Sequence, residues 1–299
     1  MCQQTQLTDS QIAMQYYSRG EYAKAADLFQ ALYNSSPSVF YYKYCLNSLL
    51  KSGNYDAAES LINKQLKTDV VNLAYNIDMG HLHQLRGNNN KAEQLFKKTI
   101  KKLPTDVDMI NSTASAFIDY GLYDYAAATY AEGRKLVSSY NFNIELGQLY
   151  YRQHNYGPMI DQYLELLLTS EVYLQQVQNL LQQAIYSTSD TRLTNLLITK
   201  LIAYSQEYSD AIVVVELLAW VYEQTNDYQS AFVQIKAIDN RLGENGRRAI
   251  TLAREAAENN DFQTAIEAYQ YVIGKGRNKE YVFAAETEML QLMYRRIEL

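Results

Sequence analysis

Apolar residues in this chain recur three and four positions apart, and the stripes they form come in pairs. In "IAMQYYSRGEYAKAADLFQALYNSSP", residues 12–37, the spacing predicts an amphipathic helix up to Gly20 and a second from Tyr22 to near Pro37. The glycine is placed to end the first helix in a left-handed conformation, and the proline to stop the second.

The phrase recurs in phase. Gly20, Gly53, Gly87, Gly121 and His154 stand 33, 34, 34 and 33 residues apart, and Tyr22, Tyr55, Asn89, Tyr123 and Tyr156 follow two positions after them. Ala25, Ala58, Ala92, Ala126 and Met159 come three further on, then Phe29, Ile62, Phe96, Tyr130 and Tyr163. The phrase lapses over 171–209, which keeps two helix-period stripes around "STSD". It returns at Tyr228, Ala231 and Ile235, and at Phe262, Ala265 and Tyr269. Ala13, Gly80, Ala114, Gly147 and Ala219 are small residues placed where the first helix of a pair must approach its neighbour closely. Seventeen helices are expected: eight pairs and a last one, "KEYVFAAETEMLQLMYRR".

This pattern resembles the tetratricopeptide repeat family in its period, its G-x-Y/F turn, its small-x-x-x-aromatic second helix and its closing proline. The resemblance implies an all-α, right-handed superhelical solenoid of antiparallel pairs. The first helix of each pair would line a concave groove and the second a convex face. The Tyr-, Gln- and Asn-rich composition also looks like exported proteins of that family from Bacteroidetes-type bacteria. The organisation expected is a tether over 1–6, units one to five over 7–170, a degenerate pair over 171–209, units seven and eight over 210–277, and a terminal helix over 278–299 that continues in a longer protein.

Composition narrows the function. Hydrophobic residues make up 47%, enough for a large core, while 12 Gly and 3 Pro are too few for the turns of an all-β chain. The 28 Tyr, against 8 Phe and 1 Trp, suit half-buried positions with wet hydroxyls. A net charge of −6 argues against nucleic acid as a partner. No apolar run reaches membrane-spanning length. Cys2 and Cys45 suggest neither a disulfide framework nor a metal site. Cys2, followed by a polar run, is consistent with a lipidated start. An exported location, periplasmic or outer-membrane-associated, is therefore expected, with a cytoplasmic one as the alternative.

Chemistry-bearing residues are scattered. His81 and His83 lie two apart on one helix and point to opposite sides, so they cannot share a metal. His83 occupies the aromatic slot of Tyr16, Phe117, Tyr150 and Tyr222, and Cys45 an apolar slot held elsewhere by Ile12, Met79, Leu146 and Leu218. "GKGRNKE", residues 274–280, has neither a preceding strand nor the Walker lysine-serine pair of a phosphate loop. No catalytic set, metal or cofactor is expected, and the chain reads as a non-enzyme.

The leading reading is a scaffold that holds a peptide or protein in the groove. Its candidate lining is Tyr17, Lys43, Asn47, His81, Gln84, Asn111, Ser115, Asp119, Gln148, Tyr151 and Arg152. The alternatives are an assembly module of a cell-envelope complex, or the interaction region of a larger regulator or enzyme. Resemblance also implies a test for one known groove use, capture of a C-terminal carboxylate by a lysine and an asparagine four apart. Lys43 and Asn47 match, but the next asparagine falls on Asp78 and the following basic pair on Asp108 and Ser112, so that clamp is incomplete. Finally, Tyr281, Val282, Phe283, Met289, Leu290, Leu292, Met293, Ile297 and Leu299 exceed one stripe of the last helix. The array is expected to continue past this end or to self-associate through it.

Overall fold

Gly20, Gly53, Gly87 and Gly121 all sit in left-handed backbone, with φ of 77°, 77°, 78° and 70°, and the turn positions His154, Asn226 and Asn260 adopt it at 55°, 58° and 66°. The repeated turn is thus one conformation. It closes a helix with glycine where no Cβ penalty arises, and with His or Asn where a modest penalty is absorbed. In each case the following helix begins two residues later.

The computed structural model describes residues 8–187 and 191–298, the side chains of 187 and 296–298 excepted. Within them the chain is helical, with seventeen α-helices and no strand. The expectations for the tether, Cys2, the "STSD" turn, Ile297 and Leu299 lie outside the described residues or side chains.

The chain divides into two compact units, Met1–Phe142 and Asn143–Leu299. The first holds α1 (Asp9–Ser18), α2 (Tyr22–Ser35), α3 (Val39–Lys51), α4 (Tyr55–Thr68), α5 (Ala74–Leu85), α6 (Asn89–Ile100), α7 (Val107–Asp119) and α8 (Tyr123–Leu136). The second holds α9 (Asn143–Arg152), α10 (Tyr156–Thr169), α11 (Leu174–Ser187), α12 (Thr191–Glu207), α13 (Ile212–Gln224), α14 (Tyr228–Leu242), α15 (Arg247–Glu258), α16 (Phe262–Lys275) and α17 (Lys279–Glu298). A short 3-10 turn, Glu171–Tyr173, leads into α11. In both units most helices pack chiefly on their neighbours in sequence, and the tight turns make those neighbours antiparallel.

Helix caps explain several of the boundaries. Thr8 accepts from the Gln11 N–H while the Gln11 side chain accepts from the Thr8 N–H, a reciprocal capping box. Ser38, Asn54, Asp106, Asp227 and Asp261 each accept from the backbone N–H three residues on. Asp227 and Asp261, which fall in inter-helix turns, therefore have structural employment. Pro37 and Pro104 follow the ends of α2 and α6, and Pro158 lies in the first turn of α10.

Packing within a pair follows a small-against-large rule. A Cβ added to Gly80 of α5 would lie 2.2 Å from Phe96 of α6, and one on Gly147 of α9 would lie 2.2 Å from Tyr163 of α10. Ala13 with Phe29 and Ala114 with Tyr130 repeat the combination, and all four side chains are buried. Leu46 stands in the small slot of α3, with Ile62 opposite in place of an aromatic. The α3–α4 pair accordingly approaches less closely than α1–α2 or α5–α6.

Segment 171–209 lacks the small residues of the repeated phrase, and its packing differs from that of the other pairs. It buries Val177, Leu181 and Ala184 from α11, and Leu193, Leu197 and Leu201 from α12, in one apolar cluster. Bulky side chains hold the backbones apart. Among the described residues α11 and α12 lack the close approach seen in the other pairs, while α12 packs on α10 and α13, and α10 also reaches α13. An ion pair from Lys200 of α12 to Asp161 of α10, 2.6 Å, fastens that contact.

On α17, Ala285 and Leu292 are buried against the preceding helices, with Tyr281 and Met289 partly buried beside them. Phe283, Leu290, Met293 and Tyr294 are exposed. Among the described residues no helix is long and apolar enough to cross a membrane.

Candidate functional site

The first helices of three successive pairs, α3, α5 and α7, set polar and aromatic side chains around one concavity of the first unit. A hollow of about 380 Å³ is lined from α3 by Val39, Tyr42, Lys43 and Asn47, from α5 by Tyr75 and Asp78, and from α7 by Ala116 and Asp119 with the following Tyr120. A second hollow of about 410 Å³ shares Asn47, Asp119 and Tyr120 and adds Lys51, His81 and Leu85. Residues one helical turn apart on each helix thereby become a continuous surface across three helices.

Asp78 is the fixed centre. It is buried, and its two oxygens accept hydrogen bonds from the hydroxyls of Tyr42 and Tyr120, each 2.7 Å. Burial pushes its pKa up, while the two hydroxyls and the nearby Lys43 pull the other way. Burial, reinforced by the Asp78 charge, likewise raises both tyrosines, so their hydroxyls remain donors. A carboxylate satisfied on both sides ties α3 and α7 to α5.

Above it, Lys43 of α3 meets Asp119 of α7 at 2.6 Å. Both side chains are about half exposed, so the pair contributes little stability, at most about 1 kcal/mol. It is a contact that a ligand can compete for. His81 stacks on the Tyr120 ring, centroids 4.0 Å apart and planes 19° apart, and its Nδ1 lies 3.4 Å from Gln84 Oε1. Burial lowers the His81 pKa, which keeps the ring neutral near pH 7. At the α1 edge, Tyr17 packs edge-on against Tyr22 and Tyr44, and Lys51 lies over Tyr17 at 4.8 Å.

Of the candidates read from sequence, Lys43, Asn47, His81 and Asp119 line these hollows. Tyr17 joins them through Lys51, and Gln84 through His81. Ser115 is exposed on α7 but lines neither hollow, and Asn111 is half-buried with its Oδ1 buried and unpartnered. Gln148, Tyr151 and Arg152 belong to α9 in the second unit, where Gln148 and Arg152 are exposed and Tyr151 is half-buried. Asp78, which stands where the carboxylate clamp calls for an asparagine, points at two tyrosines, and Lys43 is already paired. Tyr42, Tyr75 and Tyr120 were not singled out from the sequence. Their signal was present only as an excess of tyrosine near a buried acid.

Cys45 is fully buried, its Sγ 3.8 Å from the Ala26 carbonyl oxygen, and burial pushes the thiol up to about 12, so it is a core residue. In the second unit a smaller hollow of about 250 Å³ is lined by Glu216, Trp220, Glu223, Arg248 and Glu255, among others. Burial, aided by the Glu255 charge and opposed by Arg248, raises Glu223 to about 7.

No family model matches the chain, and no curated protein matches it. Solved structures of helical-repeat proteins are similar. The APC/C hetero-tetramer Cut9-Hcn1 is 14% identical over 95% of this chain and 55% of that one, with a TM-score of 0.29. This chain thus spans about half the length of that one, 55%. The C-terminal part of a TPR repeat-containing protein from Cytophaga hutchinsonii is 17% identical over 91% of this chain and 97% of that one, TM-score 0.30. A tetratricopeptide repeat protein from Parabacteroides merdae is 12% identical over 95% and 97%, TM-score 0.29. The architecture of this chain stands on its own helix pairs and turn residues.

Proposed function

We propose that the first unit is a protein-interaction scaffold without chemistry of its own, and that the concavity over α3, α5 and α7 holds an extended segment of a partner polypeptide. The observation that carries this reading is the exposed Lys43–Asp119 pair above the rigid Tyr42–Asp78–Tyr120 brace. It offers a cation, an anion and the Asn47 amide on a surface held in place from below. Such a lining suits a backbone with its own donors and acceptors. An amphipathic helix would ask for a greasier trough. The remaining candidates of the first unit, Tyr17, His81, Gln84, Asn111 and Ser115, would extend the contact.

Site-specific photo-cross-linking in the native host tests this. A benzophenone amino acid at Asn47 is expected to trap a discrete polypeptide, and the same probe at exposed Lys98 of α6 is not. The trapped partner should bind the purified chain, and Asn47→Ala or Asp119→Ala should each weaken binding about tenfold, the worth of one hydrogen bond to a charged or amide group. Equal labelling from both positions, or affinity unchanged in both variants, overturns the reading.

A further inference from the structure

Trp220, the only tryptophan of the chain, stands on α13 at the register that Asn47 holds in α3 and His81 in α5. Glu216 comes four positions before it and Glu223 three after, so the three share one face of α13. Arg248, Thr251 and Glu255 share a face of α15 by the same kind of spacing, and the two faces meet in the hollow of about 250 Å³. The register of Lys43 is here Glu216, an inversion of charge. Charges in the hollow are unevenly satisfied. Arg248 gives its guanidinium to Glu216 and to Glu244, the latter at 2.8 Å, and Arg247 pairs with Glu244 at 3.0 Å. Both arginines are thus occupied by carboxylates of the chain itself. Among the described residues the carboxylates of Glu223 and Glu255 have no hydrogen-bond or ion-pair partner, and no cation or second ring lies on Trp220. Burial and a neighbouring carboxylate make their ionisation costly, raising Glu223 to about 7 and Glu255 above its ordinary value. A half-buried indole beside two unneutralised carboxylates is a site short of one cation.

We propose that this hollow binds the guanidinium of an arginine side chain carried by a partner polypeptide, with the Trp220 indole against its flat face and the carboxylates of Glu223 and Glu255 accepting from its edge. The unpaired charge sets the sign of the ligand. The indole selects a planar cation, since a guanidinium stacks on an aromatic face while still donating from its edge, whereas an ammonium is more strongly hydrated. The volume, about 250 Å³, falls below the roughly 300–1,000 Å³ of pockets for drug-sized ligands, so it suits the head of one side chain. Thr251 at the rim is exposed, so the hollow opens to solvent and an extended chain can lie across it. The same wall already shows the mode of holding, in Arg248 between Glu216 and Glu244. This site lies wholly in the second unit and does not depend on the concavity over α3, α5 and α7.

Trp220 reports on the site directly, because no other tryptophan contributes to the emission. The full chain is titrated, at slightly alkaline pH and constant ionic strength, with the blocked peptide acetyl-Gly-Arg-Gly-amide. The same peptide with citrulline, an uncharged isostere, or with lysine in place of arginine serves as the comparison, as does free arginine. The arginine peptide is expected to shift the emission saturably, with half-saturation on the order of a millimolar or somewhat below. The citrulline peptide should leave the emission unchanged, and the lysine peptide should bind at least about threefold more weakly. Glu223→Gln and Glu255→Gln should each weaken the arginine peptide about tenfold, the worth of one hydrogen bond to a charged group, with circular dichroism unchanged. Glu223→Gln relieves a buried charge and so is not expected to unfold the unit, which separates lost binding from lost structure. No saturable response, equal responses to arginine and citrulline or to arginine and lysine, or affinity unchanged in both variants would each overturn the proposal. Tighter binding of free arginine than of the blocked peptide would overturn the assignment to a polypeptide.

Discussion

Gly80 and Phe96 are in contact so close that a single added methyl on the glycine would lie 2.2 Å from the ring. The ring cannot give way, since Phe96 is fully buried and wedged by Phe117 at 5.4 Å and Tyr125 at 4.9 Å. Gly80→Ala is thus expected to destabilise the first unit by about 1–3 kcal/mol from overpacking, which outweighs the gain of up to about 1 kcal/mol from helix propensity. Chemical denaturation measures it. Adding Phe96→Leu should recover part of the loss, because the chain itself uses two aliphatic residues at Leu46 and Ile62. Additive effects in that double-mutant cycle would contradict the contact.

Asp239 gives the second unit an acid-sensitive brace. It is fully buried at the end of α14, accepts from the Gly246 N–H and the Tyr271 hydroxyl at 2.8 Å each, and pairs with Lys275. Burial alone would raise its pKa, but Lys275, the Gly246 N–H and Tyr271 outweigh it and hold the carboxyl below its ordinary value. The unfolded chain therefore protonates first. The contribution is complete above the ordinary carboxyl pKa, about 4, and is lost as pH falls through the lower folded value. Asp239→Ala is expected to cost about 3–5 kcal/mol at pH 7 and to flatten the acid limb of a urea-stability profile.

Glu223 acts with the opposite sign. Its folded pKa of about 7 lies above the ordinary value, so the folded state holds the proton more tightly than the unfolded one. Stability should fall as pH rises from about 4.5 toward 7. Glu223→Gln is expected to remove that slope and to exceed the parent by about 1–3 kcal/mol at pH 8. A variant no more stable than the parent at pH 8 would show that burial, with the Glu255 charge beside it, does not penalise the ionised Glu223.

The Tyr42–Asp78–Tyr120 brace should respond to loss of either hydroxyl. Tyr120→Phe keeps the stack with His81 but leaves one Asp78 oxygen unpaired, for an expected loss of about 1–3 kcal/mol. Asp78→Asn, which retains an acceptor and can donate to a tyrosine oxygen, should cost less. Thermal melts of the three chains rank these effects.

The fold was legible because its determinants are local. The turn residues, the small residue of α5 and the aromatic of α6 each announce themselves within one repeat, and Leu46 with Ile62 even records the exception. The site was legible only in part. Lys43 and Asn47 share a helix face and could be read from spacing. Asp119 reaches Lys43 from 76 positions away, and Tyr120 reaches Asp78 from 42. Those links depend on how far one helix pair rotates against the next, which no single repeat encodes. The same limit hid the brace around Asp239, whose three partners come from one loop and one later helix. The segment 171–209 was legible as helices but not in its packing, since large side chains admit many separations where glycine admits few.

Packing between sequence neighbours also governs the order in which this protein can be assembled. The contacts that close α1 on α2 need only the first thirty-odd residues, and each later hairpin needs roughly 34 more. A chain emerging from the ribosome can therefore bury apolar surface hairpin by hairpin, with little wait for distant partners. The exception is α10, which reaches past the widely spaced α11 and α12 to touch α13. Synthesis must run on through that gap before α10 meets α13, so the stretch from α10 to α13 closes later than the hairpins on either side of it.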